Sequence, residues 1–329
     1  MKKTFVLFLV LALVGAGVFA NGAKEQEKVV IRWGSVHTPD SITTRMMNRV
    51  IEAVNKGTEG RVEIQGYPSS TLGGSRDLVE GVQSGLVDMC TEGPAQFSAV
   101  GIPVADIAEA PYIWRDREHL SKALNGEFGD WLNNIFLEKN VRMLGAIYYG
   151  TRQLTTTDKP VYSVTDVKGM KIRVPESALY MKMVEAWGAK ATPMNLGELY
   201  LALSTKVADA QENPLTTFNA QKFYEIQKYV ILTDHIICPN CIFINENVWK
   251  KISPEDQKVF EDAVAEAIKW HDEQVVKAEE DLKVELQKKG VTIITPDVES
   301  FRAVTAPYVE AAFRSKWGEG TWQMIQDIK

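Results

Sequence analysis

The segment from Ser253 to Gly290 places the tightest constraint on how this chain folds. A serine followed by proline is typical of a helix start, because serine caps free backbone N–H groups and proline fits the first turn. Apolar residues then recur at helical spacing from Val259 to Leu286, and Gly290 ends the pattern. At ~1.5 Å per residue such a helix spans ~50 Å, which is longer than one small domain. The sequence therefore predicts a helix that runs along two lobes.

The remainder of the chain alternates short apolar strands with helices, which indicates an α/β fold class. With 329 residues, of which 45% are hydrophobic, the chain has room for two domains. The formal charge of −6 argues against nucleic acid as a partner.

Residues 1–20 have the pattern of a secretory signal peptide. Lys2 and Lys3 form a basic start, an apolar core follows from Phe5 to Val14, and Val18-Phe19-Ala20 fits a cleavage site. The apolar core is short for a bilayer span, so a retained membrane anchor is the less favoured alternative. We predict cleavage after Ala20, a periplasmic location, and a polar N-terminal tether over residues 21–28.

Two arginines are placed where a ligand is expected. Arg152 follows the apolar run Met143–Tyr149, and Arg173 lies in a short strand that Pro175 ends. Ligands of α/β sheets bind at strand ends, and a guanidinium is a rigid fork of donors that matches a carboxylate. The sequence predicts a site for an organic anion. The alternative is that both arginines pair with nearby acids, such as Asp158 or Glu176.

Two further polar residues are candidates for the same site. His37 follows the predicted first strand, Val29–Ser35, so it is either a ligand contact or a solvated loop histidine. Asn213 precedes a proline and is held extended, and its amide both donates and accepts hydrogen bonds. Its alternative is a structural role in a turn.

Several long motifs follow one another in a distinctive order. They are Leu72-Gly73-Gly74, Gly150-Thr151-Arg152-Gln153, the run from Asp166 to Pro175, Gly188-Ala189, Thr192-Pro193-Met194, the run from Glu198 to Leu203, the run from Asp209 to Pro214, and the run from Lys222 to Tyr229. These motifs resemble those of the DctP-type solute receptors of TRAP (tripartite ATP-independent periplasmic) transporters. The resemblance covers nearly the whole chain after the predicted signal peptide.

The resemblance implies a two-lobed periplasmic-binding-protein-like fold with a ligand cleft between the lobes. Strands would cross between the lobes near residues 149 and 238, with lobe I formed by 29–149 plus 238–278 and lobe II by 150–237 plus 279–329. It implies a receptor rather than an enzyme, with no cofactor and no metal. The receptor, expected to be a monomer, would close over its ligand and deliver it to the TRAP permease subunits in the membrane.

The resemblance also assigns roles to the site residues. Arg173 would form a bidentate salt bridge with the ligand carboxylate, and Arg152 and Asn213 would add donors to the same group. A contact residue is common in the family in the loop after the predicted strand Leu86–Cys90, where either Glu92 or Gly93 would face the ligand.

Two departures from the family pattern bear on the ligand. Leu196 stands where an aromatic residue is common, and Glu176 stands where sialic-acid receptors of the family carry an amide. A carboxylate at position 176 would accept ligand hydroxyls and repel a second ligand carboxylate. We therefore expect a hydroxylated monocarboxylate, such as a sugar acid, with a C4-dicarboxylate or sialic acid as the alternative.

Cys238-Pro239-Asn240-Cys241 leaves an enzyme of another class open, an exported thiol-disulfide enzyme. That chemistry needs the first cysteine at a helix N-terminus, whereas a strand-like apolar run follows Cys241. A structural disulfide or unpaired thiols are therefore expected. A binding protein that presents its ligand to a signalling partner is a further alternative.

Overall fold

The computed structural model describes residues 28–329. The predicted signal peptide and all but the last residue of the predicted tether lie outside this range. The helices are α1 Ile42–Gly57, α2 Ser75–Ser84, α3 Arg117–Leu124, α4 Glu127–Leu137, α5 Ala178–Ala186, α6 Leu199–Ser204, α7 Leu215–Ala220, α8 Glu246–Trp249, α9 Pro254–Lys288, α10 Val298–Trp317 and α11 Thr321–Gln326. The strands are β1 Val29–Gly34, β2 Val62–Tyr67, β3 Met89–Glu92, β4 Val141–Thr156, β5 Lys171–Val174, β6 Lys190–Pro193, β7 Ala210–Pro214, β8 Tyr229–Asn245 and β9 Thr292–Ile294. Within residues 28–329, no helix combines the length and the apolar character needed to cross a membrane.

The strands form one mixed sheet around β4 and β8, which pair antiparallel over most of their length. At one end β3 pairs with β8 and is followed by β1 and β2, which defines the first lobe. At the other end β7 pairs with β4 and is followed by β5 and β6, while β9 pairs with β8; these strands define the second lobe. The two long strands therefore connect the lobes of a mixed α/β fold, as predicted.

Gly150 pairs with Cys238 beside a register shift in β4, near the predicted crossing between the lobes. Gly150 has a φ of 130°, and a Cβ there would lie 2.7 Å from the Pro214 Cβ. Both facts require glycine, because other residues avoid this backbone conformation and this space. The assignment of the remaining segments to the two lobes, as divided above, stays a prediction.

Helix α9 is the brace between the lobes. The Ser253 side chain accepts a hydrogen bond from the Asp256 N–H, and Pro254 occupies the first turn, as the sequence predicted. The helix has 35 residues and packs on α1 in the first lobe, on β4 at the crossing, and on α7 and β9 in the second lobe. At the crossing, Glu279 of this helix accepts hydrogen bonds of 2.8 Å from the Thr151 N–H and the Tyr148 hydroxyl. The prediction of a helix that spans both lobes is confirmed.

Two strand boundaries differ from the predictions. Strand β4 continues to Thr156, so Arg152 lies inside a strand. The polar residues in this part of β4 are buried, and they interrupt the apolar pattern from which the strand was predicted. Strand β3 begins at Met89 rather than Leu86, because Gly85 turns the chain with a left-handed φ of 84° and leaves Leu86 75% exposed. As a result Glu92 is the last residue of a strand rather than part of the loop.

Candidate functional site

A buried cavity lies between the two lobes, next to the strand crossing. Six of the seven predicted site residues line it, namely His37, Glu92, Leu196, Arg152, Arg173 and Asn213, together with Gly93. The first lobe contributes His37 after β1 and Glu92 at the end of β3. The second lobe contributes Arg173 from β5 and Asn213 from β7. The parallel pairing of β5 with β7 aligns their carboxyl ends, and the side chains there meet at the cavity.

Arg173 is a buried cation that pairs with no acidic side chain in the described part of the chain. Its side chain is almost fully enclosed, and its Nε and Nη2 donate to the backbone carbonyl of Met194 at 3.1 and 2.7 Å. Desolvation lowers the pKa of Arg173 to about 10, so the guanidinium is still charged at neutral pH but lacks a counterion among the described residues. Its Nη1 group and one Nη2 hydrogen remain available. These donors form the end-on edge of the fork, which matches the two oxygens of a carboxylate.

Arg152 has a different electrostatic role. Its Nε and Nη2 donate to the two carboxylate oxygens of Glu212 at 2.5 and 2.8 Å, and Nη2 also donates to the Glu212 carbonyl at 2.8 Å. His235 Nε2 lies 3.0 Å from the same carboxylate. Burial opposes both charges, but the pair outweighs it, so the pKa of Arg152 is raised and that of Glu212 is lowered. Arg152 therefore pairs with an acid, as the alternative interpretation of the sequence expected, but its partner is Glu212 rather than Asp158 or Glu176.

The structure does not bring Glu176 into the site. Its side chain is exposed and is not part of the cavity wall. The reason is local: the chain turns after β5, the Ser177 N–H donates to the Pro175 carbonyl at 2.7 Å, and Ser177 is buried in place of Glu176. The predicted contact between Glu176 and the ligand is therefore corrected, and Glu176 does not favour one ligand class over another.

Two other carboxyl groups line the cavity from the first lobe, Glu92 and Glu109. Glu92 is 4% exposed, its Oε1 has no hydrogen-bond partner, and desolvation raises its pKa to about 8. Glu109 ends a short 3-10 helix, and it accepts hydrogen bonds from the Ala95 N–H at 2.7 Å and from the Tyr180 hydroxyl. Glu109 was not predicted from the sequence.

The remaining predicted residues supply neutral contacts. Burial lowers the pKa of His37 to about 4, so its ring is neutral at pH 7, and its Nε2 lies 3.4 Å from the Asn240 amide nitrogen. Asn213 donates one amide hydrogen to Gln211 at 2.5 Å, which leaves the other for a ligand. Leu196 is buried and gives an apolar wall.

The cysteines do not form a reactive centre. Cys90, Cys238 and Cys241 are buried free thiols, and the last two lie within β8 rather than at a helix N-terminus. Burial raises the pKa of Cys238 to about 12, whereas thiol exchange needs a thiolate. Among residues 28–329, no cluster of three or more His, Cys, Asp or Glu residues could hold a metal ion.

Two α/β lobes around a buried cationic cavity define the class of solute-binding receptors. The sequence profile of the bacterial extracellular solute-binding proteins, family 7, matches residues 33–316, so the chain belongs to this family. It is 31% identical to the sialic acid-binding periplasmic protein of Vibrio cholerae over 310 residues, which are 93% of this chain and 94% of that protein. The predicted resemblance to TRAP receptors is thereby confirmed.

Solved structures support the same assignment. A TRAP periplasmic solute-binding protein from Polaromonas sp. JS666, bound to D-erythronate, superposes with a TM-score of 0.87 at 31% identity over 92% of this chain and 99% of that one. A second, from Roseobacter denitrificans with bound L-galactonate, has a TM-score of 0.85 at 29% identity, with the same 92% and 99% coverage. The chain is thus a two-lobed TRAP solute-binding protein, and members of its family serve transport as receptors rather than as enzymes.

Proposed function

We propose that this receptor binds a hydroxylated monocarboxylate, such as a sugar acid, with Arg173 as the primary contact of the ligand carboxylate. The observation that carries the proposal is the buried charge of Arg173, which lacks a counterion among the described residues and keeps its end-on donors available. A buried charge is unfavourable until it is paired, so a ligand carboxylate gives the site a missing partner. Arg152 Nη1 and the Asn213 amide add donors to the same group.

The charge balance of the cavity favours one ligand carboxylate over two. Glu212 neutralises Arg152, which leaves Arg173 as the cation for a ligand. Burial raises the pKa of Glu92 to about 8, so this carboxyl group is mainly protonated and neutral at pH 7. It therefore neither attracts nor strongly repels an anionic ligand. A C4-dicarboxylate would leave its second carboxylate without a cation, at a cost of several kcal/mol for a buried ion.

Several relatives were solved with ligands of this class. Besides the receptors solved with D-erythronate and L-galactonate, one from Xanthobacter autotrophicus, 27% identical, was solved with β-D-galacturonate. Each of these ligands has one carboxylate and several hydroxyls. Sialic acid, the ligand named for the Vibrio cholerae relative, shares this chemistry and stays the alternative.

We further infer that the protein is exported by a signal peptide cleaved after Ala20, acts in the periplasm as a monomer, and passes its ligand to TRAP permease subunits. Family membership and the sequence pattern of residues 1–20 support this inference.

Calorimetry on ligand-stripped protein tests the ligand proposal with D-erythronate, L-galactonate, D-galacturonate, sialic acid and succinate. We expect tightest binding of a hydroxylated monocarboxylate, and loss of at least a hundredfold in affinity in Arg173→Lys, because lysine lacks the fork. Arg314→Lys is the matched control, since Arg314 is an exposed residue that pairs with Glu310 on α10. Near-normal affinity in Arg173→Lys, or tightest binding of succinate, would refute the proposal.

A further inference from the structure

The carboxyl groups of Glu92 and Glu109 are not explained by the binding of a carboxylate. Both are buried, both line the cavity, and neither forms an ion pair with a cation of the described chain. Two acids beside an anion site are unfavourable unless they contact something other than the anion. The unpartnered Oε1 of Glu92 in particular is a buried polar atom that lacks a hydrogen bond.

Glu109 is held in place by its surroundings. The Ala95 N–H and the Tyr180 hydroxyl fix its two oxygens, and the Tyr180 ring lies 5.0 Å from the Arg152 guanidinium carbon. Gly93 leaves room for it, because a Cβ at position 93 would lie 2.4 Å from the Glu109 Oε1. The Glu109 carboxyl therefore occupies the space next to Glu92 that a side chain at position 93 would fill.

We propose that Glu92 and Glu109 form a hydroxyl-binding wall, which recognises the hydroxyl-bearing end of the ligand and excludes a second carboxylate. This inference rests on the proposed function, since it assumes that Arg173 holds the one ligand carboxylate. A protonated carboxyl group both donates and accepts, so it pairs with a hydroxyl in either orientation. A second ligand carboxylate would instead meet two acidic groups without a cation.

The groups around Glu92 support a neutral acid in this wall. Glu109 approaches it within the first lobe, Cys90 lies two residues earlier on β3, and Cys241 pairs with it on β8. Ser75, at the start of α2, lines the cavity on the same side. Cys90 and Cys241 are neutral because burial raises their pKa values well above the ordinary thiol range. As the pH rises past about 8, Glu92 ionises and its charge opposes an anionic ligand.

Calorimetry tests the wall with D-erythronate, L-galactonate and succinate against Glu92→Met, Glu109→Met, Glu92→Gln and the wild type. We expect the ratio of hydroxy-acid affinity to succinate affinity to fall at least tenfold in each methionine variant, because a thioether cannot replace the hydrogen bonds of a carboxyl group to a hydroxyl. Glu176→Gln is the matched control, because Glu176 is exposed outside the cavity, and its ratio should not change. The wild type alone gives a second readout: affinity for a hydroxy acid should fall by about tenfold from pH 7 to pH 9, and this fall should be absent in Glu92→Gln.

Each outcome separates this inference from the proposed function. If no hydroxy acid binds the wild type, the proposed function fails. If hydroxy acids bind and are lost in Arg173→Lys, but the affinity ratio and the pH profile are the same in the Glu92 and Glu109 variants as in the wild type, only the wall is refuted. If L-serine outcompetes D-erythronate, the two acids bind an ammonium group and the wall is likewise refuted.

Discussion

Replacement of each cavity arginine by methionine should separate the two kinds of buried charge in this receptor. Arg173 lacks a counterion among residues 28–329, whereas Arg152 is paired with Glu212 and, through it, with His235. Methionine keeps an unbranched apolar stem of similar length and removes the charge. The two variants therefore change the same residue type by the same chemistry in opposite electrostatic environments.

The magnitudes follow from the contacts. Burial lowers the pKa of Arg173 from 12.5 to about 10, which corresponds to about 3 kcal/mol against the charged folded state. Arg173→Met removes that penalty but also removes two hydrogen bonds to the Met194 carbonyl, each worth about 1.5 kcal/mol. The net change in the free energy of unfolding should lie within about 1 kcal/mol of zero. Arg152→Met leaves Glu212 buried and unpaired and should destabilise the protein by about 3–5 kcal/mol.

Thermal and urea unfolding of the ligand-free proteins measure this difference. Protein must first be unfolded and refolded to remove bound ligand, because a tight ligand raises apparent stability by mass action. Arg152→Met should unfold several degrees below Arg173→Met, while Arg173→Met binds none of the hydroxy acids despite its normal stability. Equal destabilisation of the two variants would show that Arg173 is already paired in the unliganded protein, and the reasoning would fail.

Four further predictions concern pH, closure, the backbone at Gly150 and the thiols. Because the pKa of Glu92 is raised from 4.5 to about 8, the folded state holds a proton that the unfolded state releases, so ligand-free stability should fall from pH 4.5 to pH 8, and less steeply in Glu92→Gln. Small-angle scattering should give a smaller radius of gyration with D-erythronate than without it, because the lobes close over the ligand. Gly150→Ala should unfold at a lower temperature than the wild type, since the φ of 130° at position 150 disfavours alanine. Cys90, Cys238 and Cys241 should react with a thiol reagent only after denaturation, and a reductant should leave the melting temperature unchanged; rapid labelling of native protein would contradict their burial.

The sequence by itself determined the elements that depend on local pattern. The cap at Ser253 and the helical spacing after it fixed α9, because both features act within a few residues along the chain. The family motifs, read in order, gave the two-lobed class and placed Arg152, Arg173 and Asn213 in one site, and all three side chains line the cavity. The sequence did not give the end of β4, since buried polar residues in this strand interrupt the apolar pattern that marks a strand.

Only the tertiary structure decided the chemical state of those side chains. Arg152 and Glu212 are 60 residues apart, and they meet because β4 pairs with β7. Because this contact neutralises Arg152, Arg173 is left as the cavity arginine that has no counterion within residues 28–329. Glu109 enters the cavity because Gly93 leaves space for it, and Glu176 points to solvent because the chain turns after β5. The charge, pKa and orientation of a side chain depend on neighbours that strand pairing and packing bring together from distant parts of the chain. A sequence motif therefore shows which residues approach the ligand, but not what each of them contributes to binding.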